Sequence, residues 1–180
     1  MSSKEHKKKS PRNISIGILT ISTSRTLQTD ESGRWMSRMA KKEGHRIVCH
    51  QVIPDDSGVI VNTVLSTLRD PGPEVLLLTG GTGIARQDVT IEAVRPLLEK
   101  ELTAFGTVFS QLSFEEIDSA AILSRATAGV IGQTAVFCLP GSLSACKLAC
   151  KALIFPELGH IVKHIREDGN VSNNAAHPKE

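Results

Sequence analysis

Short apolar runs that end in glycine-bearing or polar loops recur along this chain, with helical segments between them. That alternation constrains the fold most. Residues 14–21 (ISIGILTI), 45–53 (HRIVCHQVI), 74–79 (EVLLLT) and 134–139 (TAVFCL) read as strands, the first and third apolar enough to be buried. Helices are expected over 33–43, stopped by Gly44, and over 57–69, where Ile60, Val64 and Leu68 share one face. A third is expected over 89–100, and a last one after Pro140-Gly141-Ser142 to about residue 166, bent near Pro156. The pattern blurs between 101 and 130, although EEIDSAAILSR (115–125) fits a helix. Strands alternating with helices predict an α/β fold, a three-layer domain with a largely parallel sheet.

At 180 residues and 40% hydrophobic, the chain suffices for one domain, expected over 13–166 between polar tails at 1–12 and 167–180. No apolar run is long enough to cross a bilayer and no signal-peptide core is present, so no membrane partner is expected. The net charge of +2 owes its sign to the first residues. Setting aside Lys4, Lys7, Lys8, Lys9, Arg12 and Glu5 leaves 16 basic and 18 acidic residues, a net −2. With no Tyr and five Phe beside one Trp, the chain lacks stacking platforms, and nucleic acid is not an expected partner. Cys49, Cys138, Cys146 and Cys150 form no CxxC pair and read as small packed residues of a reducing cytoplasm. His160 and His164 have metal-ligand spacing without a third ligand, and read as solvated helix residues.

Ligands of open α/β sheets gather at the carboxyl ends of strands. Four such ends carry candidate loops: Ser22 to Arg25 (STSR), Pro54 to Gly58 (PDDSG), Gly80-Gly81-Thr82-Gly83, and Pro140-Gly141-Ser142. Glycines let backbone N–H groups approach an anion, so Gly80 to Gly83 read as a nucleotide or phosphate cradle, or as a tight strand-to-helix turn. No Lys follows as a P-loop requires, and Arg86 occupies the last glycine position of GxGxxG. Asp88 reads as a helix N-cap or as a metal-holding carboxylate, and Asp55 and Asp56 as turn residues or as a second acidic set. Two acids beside a phosphate cradle suit Mg²⁺, which takes few carboxylates and completes its shell with phosphate oxygens and water. Ser142 lacks a nucleophile-elbow context and reads as a helix-start hydroxyl.

The pieces GILTISTSR, DESG, IPDD, LLLTGGTGIARQDVT, FGTVFSQLSFEEI, AILSRATAGV and LPGSLSACK, in this order over roughly 14–155, resemble the MoaB/MogA family of molybdenum cofactor biosynthesis proteins, and its MoaB branch most. The resemblance implies a molybdopterin-binding fold and a molybdopterin adenylyltransferase, with ATP as co-substrate and Mg²⁺ as cofactor. It implies Asp55 and Asp88 as the catalytic and metal-holding acids. On the nucleotide side it implies Gly80, Gly81, Thr82, Gly83, Arg86 and Thr90. On the substrate side it implies Ser22, Ser24, Arg25, Ser124, Pro140, Gly141 and Ser142. It further implies a homo-oligomer, trimer or hexamer, and the pathway's metal-inserting protein as a partner. The alternative from another class is a non-catalytic molybdopterin-binding or carrier protein. Gln87, where some relatives carry a second Arg, and STSR, where others carry Asp or Asn, depart from the family pattern.

Overall fold

The computed structural model describes the backbone of residues 13–175 and the side chains of 13–168. The expected basic tail at 1–12 and the last residues of the expected tail at 167–180 lie outside the described residues.

Six strands form one sheet in the order β2-β1-β3-β6-β5-β4. They are β1 (Ser15–Ile21), β2 (Arg46–Ile53), β3 (Val75–Thr79), β4 (Lys100–Glu101), β5 (Thr127–Ile131) and β6 (Thr134–Leu139). β1 pairs in parallel with β2 and β3, and β3 with β6, while β5 runs antiparallel to β6 and to β4. The sheet is therefore mixed, and only β5 opposes the common direction.

β1 and β3 are buried along their whole length, and successive side chains feed opposite layers. Ile16, Ile18, Val75, Leu77 and Phe137 enter one core with Met36, Phe109, Ile154 and Leu158. Leu19, Ile21, Leu76, Leu78 and Val136 enter the other with Ile60, Val64, Ile91 and Val94. The first face is covered by α1 (Glu31–Lys42), α4 (Thr103–Ile117), α5 (Leu143–Leu148) and α6 (Phe155–Ala175). The second is covered by α2 (Ser57–Arg69) and the short α3 (Thr90–Val94). A π-helical turn, Ala149–Ile154, joins α5 to α6 ahead of Pro156. Cys138, Cys146 and Cys150 are buried and unbridged, and burial pushes their thiols up, to about 12 for Cys138 and about 11 for Cys146. No helix among the described residues is long and apolar enough to cross a membrane.

Three segments depart from the sequence reading. The helix expected over 89–100 ends at Val94 and tightens into a 3₁₀ turn at Arg95–Leu97, because Pro96 supplies no amide and Glu99 N–H bonds instead to Val130 O. The helix expected over 115–125 is cut at Asp118, whose φ of 51° ends α4 and opens a 3₁₀ stretch, Asp118–Leu123. The last helix runs past residue 166 to Ala175, which takes 167–175 out of the expected tail. Arg166 fastens it to the sheet through Glu74, whose carboxylate also accepts Ser15 N–H and Oγ at 3.0 and 3.1 Å.

Candidate active site at the strand ends

The strand order places β1 between β2 and β3, so the crossovers leaving β1 and entering β3 lie on opposite sides of β1. A crevice opens at such a point, at the carboxyl ends of the strands. The loops after β1, β2, β3 and β6 meet there, and their mutual hydrogen bonds are what assemble them.

The β3–α3 loop is shaped by close backbone approach. Gly80 has φ +101°, and a Cβ there would stand 2.2 Å from Ile21 O. Gly81 has φ +60°, and its Cβ would meet Thr90 Oγ1 at 2.5 Å and Asp55 Oδ1 at 3.2 Å. Only glycine fits both positions. Thr90 N–H donates to Gly81 O and its hydroxyl to Gly80 O, at 2.9 and 2.8 Å. Thr90, expected to contact nucleotide, is thus fully buried with both donors engaged by the loop's own carbonyls, and it shapes the loop from behind. The amides of Gly81, Thr82, Gly83 and Ile84 donate to no acceptor among the described residues, four consecutive donors on a half-exposed loop.

Asp88 is not a helix cap. The N-cap of α3 is Val89, and Asp88 instead closes the preceding turn by accepting Ala85 N–H at 2.8 Å on Oδ2. That places its carboxylate against the loop, where a Cβ on Gly83 would lie 2.7 Å from Oδ2. Asp55 Oδ2 accepts both the N–H and the hydroxyl of Thr23 at 2.8 Å, tying the β2 loop to the β1 loop. Asp56 is the plain cap of α2, accepting Val59 N–H at 2.9 Å. Asp55 and Asp88 therefore stand by opposite ends of the amide row, and each keeps one oxygen, Oδ1, that accepts no hydrogen bond among the described residues. No group of three or more acidic, His or Cys side chains suited to a metal occurs among the described residues. A carboxylate oxygen left free on each acid is the kind of ligand that Mg²⁺ takes beside phosphate and water.

The remaining loops complete the crevice. Ser22 Oγ accepts Ser24 and Arg25 N–H at 3.3 and 3.2 Å, folding the β1 loop into a tight turn. Arg25 Nη1 then reaches Gly141 O at 3.1 Å, and Ser32 Oγ reaches the same oxygen at 3.0 Å. Pro140 O accepts from Thr79 Oγ1, and Ser142 caps α5 through Ala145 N–H at 3.2 Å. Arg86 is exposed at the tip of the glycine loop. Ser124 is the one expected residue outside this group of loops: it lines a cleft of about 380 Å³ with Arg95, Thr103 and Thr107, linked to the loop through Arg125.

Two constellations escaped the sequence reading. Arg125 bonds the carbonyls of Thr82 and Gly83 and pairs with Glu92. Asp30, fully buried, caps α1 through Gly33 N–H at 2.9 Å and accepts from Thr20 Oγ1 and His50 Nε2, both at 2.7 Å. Burial alone would raise the Asp30 pKa, but the bonds from His50, Gly33 and Thr20 outweigh it and hold the carboxyl below its ordinary value. The DESG motif contains Asp30, Ser32 and Gly33, so it fixes where the β6 loop sits. The His160 and His164 rings lie against each other, Nε2 to Nε2 2.9 Å, away from all four loops.

Residues 17–160 match the family described as "Probable molybdopterin binding domain". Over 169 residues the chain is 48% identical to molybdenum cofactor biosynthesis protein B of Bacillus subtilis, covering 93% of this chain and 99% of that one. The chain belongs to the MoaB/MogA family of molybdenum cofactor biosynthesis proteins. A crystal structure of molybdenum cofactor biosynthesis protein B superposes with a TM-score of 0.85 at 42% identity, over 88% of this chain and 99% of that chain. The tungsten cofactor synthesizing protein MoaB from Pyrococcus furiosus gives 0.78 at 38%, over 87% and 99%. The six-stranded mixed sheet and its helices are thus the MoaB/MogA fold, as the motif order led one to expect.

Proposed function

We propose that this chain is a molybdopterin adenylyltransferase. An oxygen of the terminal phosphate of molybdopterin forms a bond to the α-phosphorus of ATP, the bond from that phosphorus to the bridging oxygen breaks, and pyrophosphate leaves. The supporting observation is the row of four amides, Gly81 to Ile84, that donate to no acceptor among the described residues and are flanked by the carboxylates of Asp55 and Asp88. A phosphate monoester is largely ionised at neutral pH, so the nucleophile needs no strong base. The barrier lies in bringing two polyanions together, and positioning with charge neutralisation lowers it.

In this reading the loop amides hold the triphosphate, and Asp55 and Asp88 would hold Mg²⁺, which would supply positive charge against the phosphates. Arg86 adds positive charge at the loop tip. Arg25, Gly141 and Ser142 form the pterin side, with Arg25 held by Gly141 O and Ser142 presenting its hydroxyl at a helix start. The active form is a cytoplasmic homo-oligomer, trimer or hexamer. Phe114, Ile117, Ile122 and Leu123, exposed by 57, 48, 84 and 54%, supply an apolar surface for its contacts.

Incubation with molybdopterin and Mg-ATP should release pyrophosphate and yield adenylylated molybdopterin in equal amounts. Binding of molybdopterin without pyrophosphate release would refute the enzyme and leave a carrier.

A further inference from the structure

Residues 118–126, between α4 and β5, send one charged side chain to the strand-end loops. Arg125 Nε donates to Thr82 O at 2.9 Å and to Gly83 O at 3.1 Å. Its two terminal nitrogens fork onto Glu92, Nη1 to Oε1 at 2.5 Å and Nη2 to Oε2 at 3.3 Å. Glu92 belongs to α3, so one guanidinium joins the glycine loop to the helix that follows it and to the entry of β5.

We infer that Arg125 is a positioning residue that aims the loop's amides into the crevice. A trans peptide carries its C=O and N–H on opposite sides. The carbonyls of Thr82 and Gly83 share peptide planes with the amides of Gly83 and Ile84. Holding both carbonyls on the Arg125 side therefore turns both N–H groups to the other. Nothing else among the described residues engages these two carbonyls, so the orientation of two of the four free donors rests on this side chain. A planar fork is what the task needs, because one group must meet two carbonyls and a carboxylate in fixed directions. Glu92 fixes the rotation of that fork. Its carboxyl is held below the usual range chiefly by the bond from Arg125, in keeping with a persistent pair. Donors fixed in advance need no reorganisation when an anion arrives, and that is where the gain in affinity arises. The inference deepens the nucleotide reading and rests on it for its ligand, but the loop order it describes exists without one.

The test uses the full-length protein labelled with ¹⁵N-glycine, as wild type, Arg125→Ala, Arg125→Lys and, for a control, Arg166→Gln, which breaks the distant pair with Glu74. Order parameters are read for the Gly83 amide, and Mg-ATP affinity by calorimetry. Arg125→Ala should drop the Gly83 order parameter from rigid values to below about 0.6 and weaken Mg-ATP at least about tenfold. Arg125→Lys keeps the charge without the fork, and should also loosen Gly83 and lose several-fold in affinity. Arg166→Gln should lower thermal stability and leave both readouts alone. A Gly83 amide as rigid in Arg125→Ala as in wild type overturns the inference. So does an Arg125→Lys protein indistinguishable from wild type, since charge alone would then suffice. If Arg125→Ala does not fold, the Lys variant decides. A wild type that binds no Mg-ATP refutes the nucleotide reading, while the Gly83 order parameters still judge the clamp.

Discussion

Replacing Asp30 with Ala should be among the most damaging single substitutions outside the residues proposed to touch substrate. Asp30 has no exposed surface, and its carboxylate is the acceptor for three donors: Gly33 N–H, Thr20 Oγ1 and His50 Nε2. A Cβ on Gly33 would fall 2.1 Å from Asp30 Oδ2 and 2.5 Å from His50 Nε2, so the carboxylate fills a space that glycine leaves for it. Losing the cap costs about 1 kcal/mol. Each orphaned buried donor costs about 1–3 kcal/mol. Water entering the space left behind offsets part of this, and the expected total is about 3–5 kcal/mol. Asp30→Asn keeps the capping oxygen but sets an amide N–H₂ against two donors, and should cost about half as much. Urea unfolding followed by circular dichroism, at one fixed protein concentration, measures both. The pH dependence carries a sign. The folded pKa of Asp30 lies below its unfolded value, so its contribution is complete above about pH 4 and is lost as pH falls through the folded pKa. The gap between wild type and Asp30→Asn should therefore narrow in acid. An Asp30→Ala protein within about 1 kcal/mol of wild type at pH 7 would refute the reasoning.

Four further outcomes are expected. Asp88→Asn retains an oxygen for Ala85 N–H, so its melting temperature should hold while turnover falls on the order of 10²-fold or more in the pyrophosphate assay. Gly80→Ala places a Cβ against Ile21 O at a φ of +101°, and should lose about 3 kcal/mol or more by urea unfolding. Thiol titration of the native protein at pH 8 should find Cys49 alone reactive, and slowly, because burial raises its pKa as it does those of the three deeper thiols; denaturant should release all four. Light scattering at micromolar concentration should give a trimer or hexamer, and Phe114→Asp with Ile117→Asp should shift it toward smaller species.

What the sequence made legible follows from where burial is two-sided. Residues 14–21 and 74–79 feed both cores, so their apolar runs are unbroken and their ends are clear. Gly80 and Gly81 were readable as a bare loop because positive φ and close approach admit nothing else. Between 101 and 130 the same signals fail. α4 buries Phe109 on one side and exposes Phe114 and Ile117 on another, so its apolar residues show no helical period. β4 is two exposed charged residues at a sheet edge, with nothing in its composition to mark a strand. β5 carries Gly129 and is short, and only its hairpin with β6 reveals it. Side-chain partnerships were least visible. Arg125 meets a loop about 40 residues earlier, and Asp30 meets His50 across a helix–sheet interface, contacts that no spacing rule encodes. For Asp88 the sequence allowed either a helix cap or a metal-holding carboxylate, and its turn-closing bond to Ala85 N–H removes the cap.

The strand order has a consequence for a chain emerging from the ribosome. β2, β1 and β3 can pair as soon as residue 79 is free, yet the other side of β3 must wait for β6, more than fifty residues later. At about 5–20 residues per second the wait lasts several seconds. During it VLLLT is an uncharged open edge, the kind of segment that pairs with a neighbouring nascent chain. The same insertion brings Leu139 O to Gly80 N–H and Pro140 O to Thr79, so the glycine loop gains its last anchor as that edge is covered. Truncated translation products ending before residue 134 should therefore be inactive and aggregation-prone at once.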